Sequence, residues 1–317
     1  MTALTSTDGP QPVTGGPGHH VSSLVRVDVS ARSHPGYHRA KNEDHFFVTR
    51  LGRTLQTLIT SLPSGDVPEF AEEINYVMIV ADGIGGQAAG EVASRMAISA
   101  LVSLALNVPD WIFKVDDEHA QELERRARTR VQEVGAMIVE RGQRDPALRG
   151  MGTTLTAVRS LGRDVLITHV GDSRAYLLRA GGLHRLTRDH TYAQLLIDAG
   201  LSPGDAAVSR NRHLLTNALG GFIEDVHVDT DQLRLEDGDR LLVCSDGLTD
   251  LVDDGAIATI LQEAAGSSDA CERLVQRALD AGGRDNVTVI VAAYRLPEDA
   301  PRTAAPASDE ADTQAGR

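Results

Sequence analysis

Lysine is almost missing from this sequence: of 31 basic residues only Lys41 and Lys114 are lysine, and arginine supplies the rest of the positive charge. Basic residues are themselves outnumbered by 45 acids, which leaves a net charge of −14. Binding to a nucleic-acid backbone is driven by Lys and Arg displacing condensed counterions, so no nucleic-acid partner is expected. A metal cation is the more natural guest. Cysteine is scarce as well. Cys244 and Cys271 lack metal-ligand spacing and read as small buried hydrophobes in a reducing compartment. No apolar run approaches the ~20 residues that cross a bilayer, and the first residues lack the basic-then-apolar pattern of a signal peptide. The expectation is a cytoplasmic chain with no membrane insertion. With 41% hydrophobic residues but only 3% aromatic, the composition is that of a globular protein.

What is present falls into one block with two loose ends. Residues 1–20 are rich in Gly, Pro, Thr and Ser and nearly devoid of apolar side chains, so they read as a disordered leader. Residues 297–317 read as a disordered acidic tail for the same reason. Between them, 21–296, there is no long linker and no repeat of fixed period, which argues for one domain. Strand-like runs lie at 25–29, 45–48, 76–81, 153–159, 164–170, 175–179, 226–228, 240–244 and 287–294. Tight turns at 161–163 and 179–182 make hairpins, hence antiparallel pairing. Apolar residues recur near the helical period in 90–106 and 120–141, and two further helices are expected at 256–264 and 269–281. Blocks of hairpins alternating with blocks of helices predict an α+β fold.

The chemistry is carried by acids at strand ends. Asp-Gly occurs five times, and at Asp8, Asp237 and Asp254 it reads as a turn. Asp82-Gly83 and Asp246-Gly247 differ, because each ends a buried-looking apolar run with no Lys or Arg beside it. Glu43-Asp44 and Asp285-Asn286 open strands in the same manner. An ionised carboxylate at such a place needs a partner. An all-oxygen set with no Cys or His cluster suits Mg2+ or Mn2+ rather than zinc.

In order along the chain stand Arg39-x-x-Asn42-Glu43-Asp44, Asp82-Gly83-Ile84-Gly85-Gly86, Gly90-Glu91 with Ala93-Ser94, Gly152-Thr153-Thr154, Gly171-Asp172-Ser173-Arg174, Cys244-Ser245-Asp246-Gly247-Leu248 and Asp285-Asn286-Val287-Thr288. This set resembles the metal-dependent protein phosphatase 2C family in its bacterial form, over about residues 25–294. The resemblance implies a four-layer α-β-β-α sandwich of two antiparallel sheets flanked by helices, with a dinuclear Mn2+ or Mg2+ site. It implies that Asp82 bridges both ions, that Gly83 supplies a carbonyl ligand, and that Asp246 and Asp285 hold the second ion. Glu43 and Asp44 would act through water held by the ions, Asp44 orienting the attacking one, and Arg39 would bind the substrate phosphate. Asp172 and Arg174 read as structural, shaping the hairpin beneath.

The implied activity is hydrolysis of phosphoserine and phosphothreonine in proteins that a serine/threonine kinase has modified, the kinase itself among them. Many eukaryotic relatives carry a histidine after Asp-Gly, where this chain has Ile84. An Asp that helps some relatives bind a third ion is replaced by Gly150 or Met151. Residues 190–212, with Gly200, Pro203 and Gly204, correspond to the family's mobile flap. Two other readings stay open: an inactive phosphoprotein sensor on the same fold, and a dinucleotide-binding enzyme using Gly83-x-Gly85-x-x-Ala88.

Overall fold

The structure, a computed structural model, describes residues 24–63, 65–85, 89–106, 117–221, 223 and 225–297. The expected leader lies outside the described residues, as does all of the expected tail except Pro297. One five-stranded sheet has the order β1 (Arg26–His34), β13 (Val287–Arg295), β12 (Arg240–Cys244), β8 (Arg174–Arg179), β9 (Gly182–Arg185). A second has the order β11 (Asp229–Arg234), β7 (Asp164–Val170), β6 (Leu155–Leu161), β3 (Phe70–Ala81), β2 (His45–Gln56). A small third sheet joins β10 (Leu219–Gly220), β5 (Gly152–Thr153) and β4 (Gly83–Ile84). Every pairing is antiparallel. Among the described residues no parallel βαβ unit therefore follows Gly83, and the dinucleotide-binding reading falls.

The layers follow from strand periodicity. Met78 and Val80 of β3 point between the two large sheets, where they meet Val243 of β12 and Ile290 of β13. Their neighbours Ile79 and Ala81 point the other way, into a cluster with Ala93 and Ala97 of α1 (Ala89–Leu106) and Val131, Val134 and Ile138 of α2 (Asp117–Arg144). On the opposite side Leu242, Cys244, Val289 and Val291 pack beneath two further helices, residues 254–263 and 267–280, through Leu261, Cys271 and Leu274. Strands buried on both faces read as continuous apolar runs. The result is the expected α-β-β-α stack. Both cysteines are free and buried, which pushes each thiol up to about 12. By length and composition α1, at mean hydropathy 1.4, is apolar and long enough to cross a membrane, which the sequence reading did not anticipate. In this fold its Ala89, Ala93 and Ala97 face is buried against the second sheet.

Two local expectations need correction, and the flap has internal structure of its own. The 226–228 run is not a strand: the Asn217 side chain takes the backbone of His227, accepting from its N–H and donating to its carbonyl, and the strand begins at Asp229. Asp254-Gly255 is the first turn of the helix 254–263, capped by Asp253, not a free turn. The flap region holds two short helices, α3 (Tyr192–Asp198) and α4 (Pro203–Ala207), each capped by a hydroxyl, from Thr191 and from Ser202.

Candidate active site

Each large sheet sends two carboxylates to the same edge of the sandwich. His45 pairs with Ala81, so Asp44, just before β2, stands beside Asp82, just after β3. In the other sheet Ser245 N donates to Thr288 O, which sets Asp246, after β12, near Asp285, before β13. Between them opens a cavity of about 750 Å³ whose wall includes Arg39, Glu43, Asp82, Gly83, Asp246 and Asp285. All the site residues expected from sequence except Asp44 line it. Asp44 is buried behind the wall, where Ser245 Oγ donates to its Oδ2 at 2.7 Å.

Polar side chains fix this edge. Asn286 accepts from Glu43 N (2.7 Å) and donates to the carbonyls of Pro35 and Lys41 (2.9 Å each), clamping the loop that carries Arg39 to the loop that carries Asp285. Thr153 Oγ1 donates to Asp82 O at 2.7 Å, and Thr154 Oγ1 accepts from Asp82 N at 3.0 Å. That is the work of the Gly-Thr-Thr motif. Gly83 and Gly90 permit a close approach: a Cβ on Gly83 would lie 2.3 Å from Gly90 O, and one on Gly90 would lie 2.8 Å from Glu43 Oε2. Any side chain there would push α1 away from Glu43 and Asp82.

Electrostatically the edge is under stress. Burial pushes Asp44 up to about 6 against the restraining hydrogen bonds from Ser245 and Thr288. Asp82 interacts with Asp44 on one side and Asp246 on the other, and burial followed by these like charges holds it well above the usual carboxylate range. Asp246 is raised in the same way, by burial and then Asp172, Asp250, Asp285 and Asp44. Burial also raises Glu43. Two buried oxygens, Asp44 Oδ1 and Asp246 Oδ1, have no hydrogen-bond partner among the described residues. A bound divalent cation reverses this pKa logic and satisfies such oxygens. The donor set is oxygen throughout, so the residues fit Mg2+ or Mn2+. They ring a cavity rather than forming a closed cage: among the described residues no three or more His, Cys, Asp or Glu side chains stand at ion-holding geometry.

Sequence reasoning missed part of the wall. Asp172, expected to be structural, lines the cavity, and burial pushes it up to about 7. Arg174 is structural as expected, forking onto Asp189 with N–O distances of 2.7–3.2 Å. Asp250 also lines the cavity; it follows Asp246 by four residues on one helical turn, a spacing that could have revealed it. His213 reaches the wall from the flap, its Nδ1 3.5 Å from Asp250 Oδ2, and nothing in its sequence surroundings marked it.

Residues 66–281 match the protein phosphatase 2C family, a range that includes Asp82, Gly83 and Asp246 of this edge. This chain belongs to that family. It is 41% identical over 219 residues to the serine/threonine protein phosphatase PstP of Mycobacterium tuberculosis strain H37Rv, covering 68% of this chain but only 40% of that relative's length. It is 37% identical over 222 residues to the serine/threonine phosphatase stp of Listeria welshimeri, covering 69% of this chain and 85% of the relative. Among solved structures, the PstP catalytic domain in complex with two manganese ions superposes with a TM-score of 0.66 at 35% identity, covering 86% of this chain and 99% of the other.

Proposed function

We propose that this chain is a metal-dependent protein serine/threonine phosphatase. The observation that carries the reading is the convergence of strand-end carboxylates from both sheets on one cavity and on Asp44 behind its wall, with the buried oxygens Asp44 Oδ1 and Asp246 Oδ1 unpartnered among the described residues. Asp82, the carbonyl of Gly83, Asp246 and Asp285 would hold two divalent ions, Mn2+ or Mg2+, with Glu43 and Asp44 contributing through water. Such a pair lowers the pKa of water and neutralises charge on the phosphoryl group. The PstP structure with two manganese ions supports this stoichiometry.

The chain's own groups then have distinct tasks. Ser245 fixes Asp44 Oδ2 and leaves Oδ1 without a partner among the described residues, and Asp44 would orient the attacking water by accepting a hydrogen bond from it. Arg39 uses Nη2 to bond Asp285, so Nε and Nη1 remain to bind phosphate oxygens. His213 is the histidine on the cavity wall, and its Nε2 makes no hydrogen bond among the described residues. It would give a proton to the departing serine or threonine oxygen, the task that Ile84 cannot perform. Substrates would be products of a serine/threonine kinase, and the kinase itself would be one of them, in the cytoplasm. The test is hydrolysis of a phosphothreonine peptide by purified protein with and without Mn2+. No release of phosphate under either condition would favour the phosphoprotein-sensor reading instead.

A further inference from the structure

The turn after α4 carries charge of one sign. Residues 206–216 contain Arg210, Arg212 and His213 and no acid, in a chain with 45 acidic residues against 31 basic. Both arginine side chains are exposed and have no ion pair or hydrogen bond among the described residues. The acids earlier in the flap are already engaged, Asp198 with Arg188 and Asp205 with Ser202 Oγ. Main-chain bonds fix where the turn sits: Arg212 N donates to Ser209 O, Leu214 N to Asn211 O, and Tyr192 N to Leu214 O, at 3.2, 2.9 and 2.8 Å.

That place is the lip of the candidate active site. His213 lines the cavity, and Arg212 is near enough to Asp250 on the wall to oppose the upward push that burial gives its carboxyl. Arg39 and Lys41 line the same cavity, paired with Asp285 and Glu91. A phosphorylated residue entering past this lip brings its neighbours near the guanidinium groups of Arg210 and Arg212. Val208 and Leu214, 81% and 60% exposed, bracket the turn and offer apolar contact to the same peptide.

We propose that Arg210 and Arg212 are specificity residues that recognise carboxylates flanking the phosphorylated residue, so that the protein prefers acidic phosphopeptides. The inference rests on the phosphatase reading above and names its substrate class. Exposed ion pairs are individually weak and salt-sensitive, so two of them should produce about a tenfold preference at low ionic strength that shrinks as salt is added.

Binding can be read without turnover by using labelled peptides in which phosphothreonine is replaced by its non-hydrolysable difluoromethylene phosphonate. Fluorescence anisotropy with the full chain in Mn2+ would compare Asp, Ala and Lys at the neighbouring positions. The expected order is Asp tightest, Ala next and Lys weakest, with about tenfold between the extremes at low salt. The double reversal R210E/R212E should invert that order, an outcome that a merely damaged flap does not produce. A spread below about twofold, or a variant that weakens all three peptides alike, overturns the inference. Turnover of p-nitrophenyl phosphate by the same preparation separates the two readings. Turnover with flat peptide binding overturns this inference alone; no turnover overturns the phosphatase reading and this inference with it.

Discussion

Arg39 Nη2 lies 2.5 Å from Asp285 Oδ2, so the cation assigned to the substrate phosphate is bonded to a carboxylate assigned to a metal ion. Both side chains are partly exposed at the cavity mouth, and Asn286 holds their loops together. Removing either partner therefore disturbs the other.

The two groups should still fail differently. Asp82→Asn and Asp285→Asn should lower kcat by several orders of magnitude with unchanged circular dichroism, because loss of a ligand disables water activation and charge neutralisation together. Arg39→Ala should raise KM about tenfold and change kcat less, since phosphate is gripped in ground and transition state alike. Steady-state kinetics on p-nitrophenyl phosphate checks this. Equal losses of kcat in Arg39→Ala and Asp82→Asn would contradict the division of roles.

His213→Ala separates proton donation from everything else. A serine or threonine alkoxide leaves poorly without a proton, whereas p-nitrophenolate needs little help, and general acid catalysis contributes about 10²–10⁴-fold. Turnover of a phosphothreonine peptide should fall about a hundredfold while the aryl ester is nearly spared. Equal effects on both substrates would remove His213 from that role. His190 should show no such selectivity, because Gly171 N and Asn217 donate to its Nδ1 and its Nε2 faces Asp229.

Acid stability should be governed in part by His169. Its Nε2 donates to Arg188 O at 3.0 Å, its Nδ1 meets Thr156 Oγ1 at 2.9 Å, and burial, then His190, push it down to about 4 against the pull of Asp189 and Asp229. Arg128, Arg188 and His227 stand around the same pocket. Between pH 6.5 and 4 the unfolded chain binds a proton here that the folded chain does not, so stability falls as pH falls through that window. The loss by pH 4 is about 3 kcal/mol. His169→Gln should flatten the dependence of denaturation midpoint on pH in that interval. An unchanged slope would show that the ring is not buried as a neutral group.

How much of this was legible in the sequence varied with the kind of signal. Strands such as β3, β12 and β13 announced themselves because burial on both faces keeps long stretches of them apolar, 76–81, 241–244 and 289–293, and the acids beside those runs then stood out. β11 was hidden because it is an edge strand: Asp229–Arg234 is largely polar, and the Val226-His227-Val228 run beside it has its backbone captured by Asn217. β9 and the two-residue strands are too short to show a period. At the site, acids flanked by apolar runs were visible. His213 was not, since it reaches the cavity only through the fold of an exposed, polar flap segment whose position depends on main-chain bonds to Tyr192 and Ala193.

The central claim is that the strand-end carboxylates work by holding divalent cations, and the most direct measurement is phosphate release from a phosphothreonine peptide during a metal titration. Protein stripped with EDTA and dialysed should release no phosphate. Adding Mn2+ should restore turnover in wild type and fail to do so in Asp82→Asn, with a metal-induced rise in melting temperature seen only in wild type. Full activity in the stripped sample, or restoration of the Asp82→Asn variant to wild-type turnover, would contradict the account.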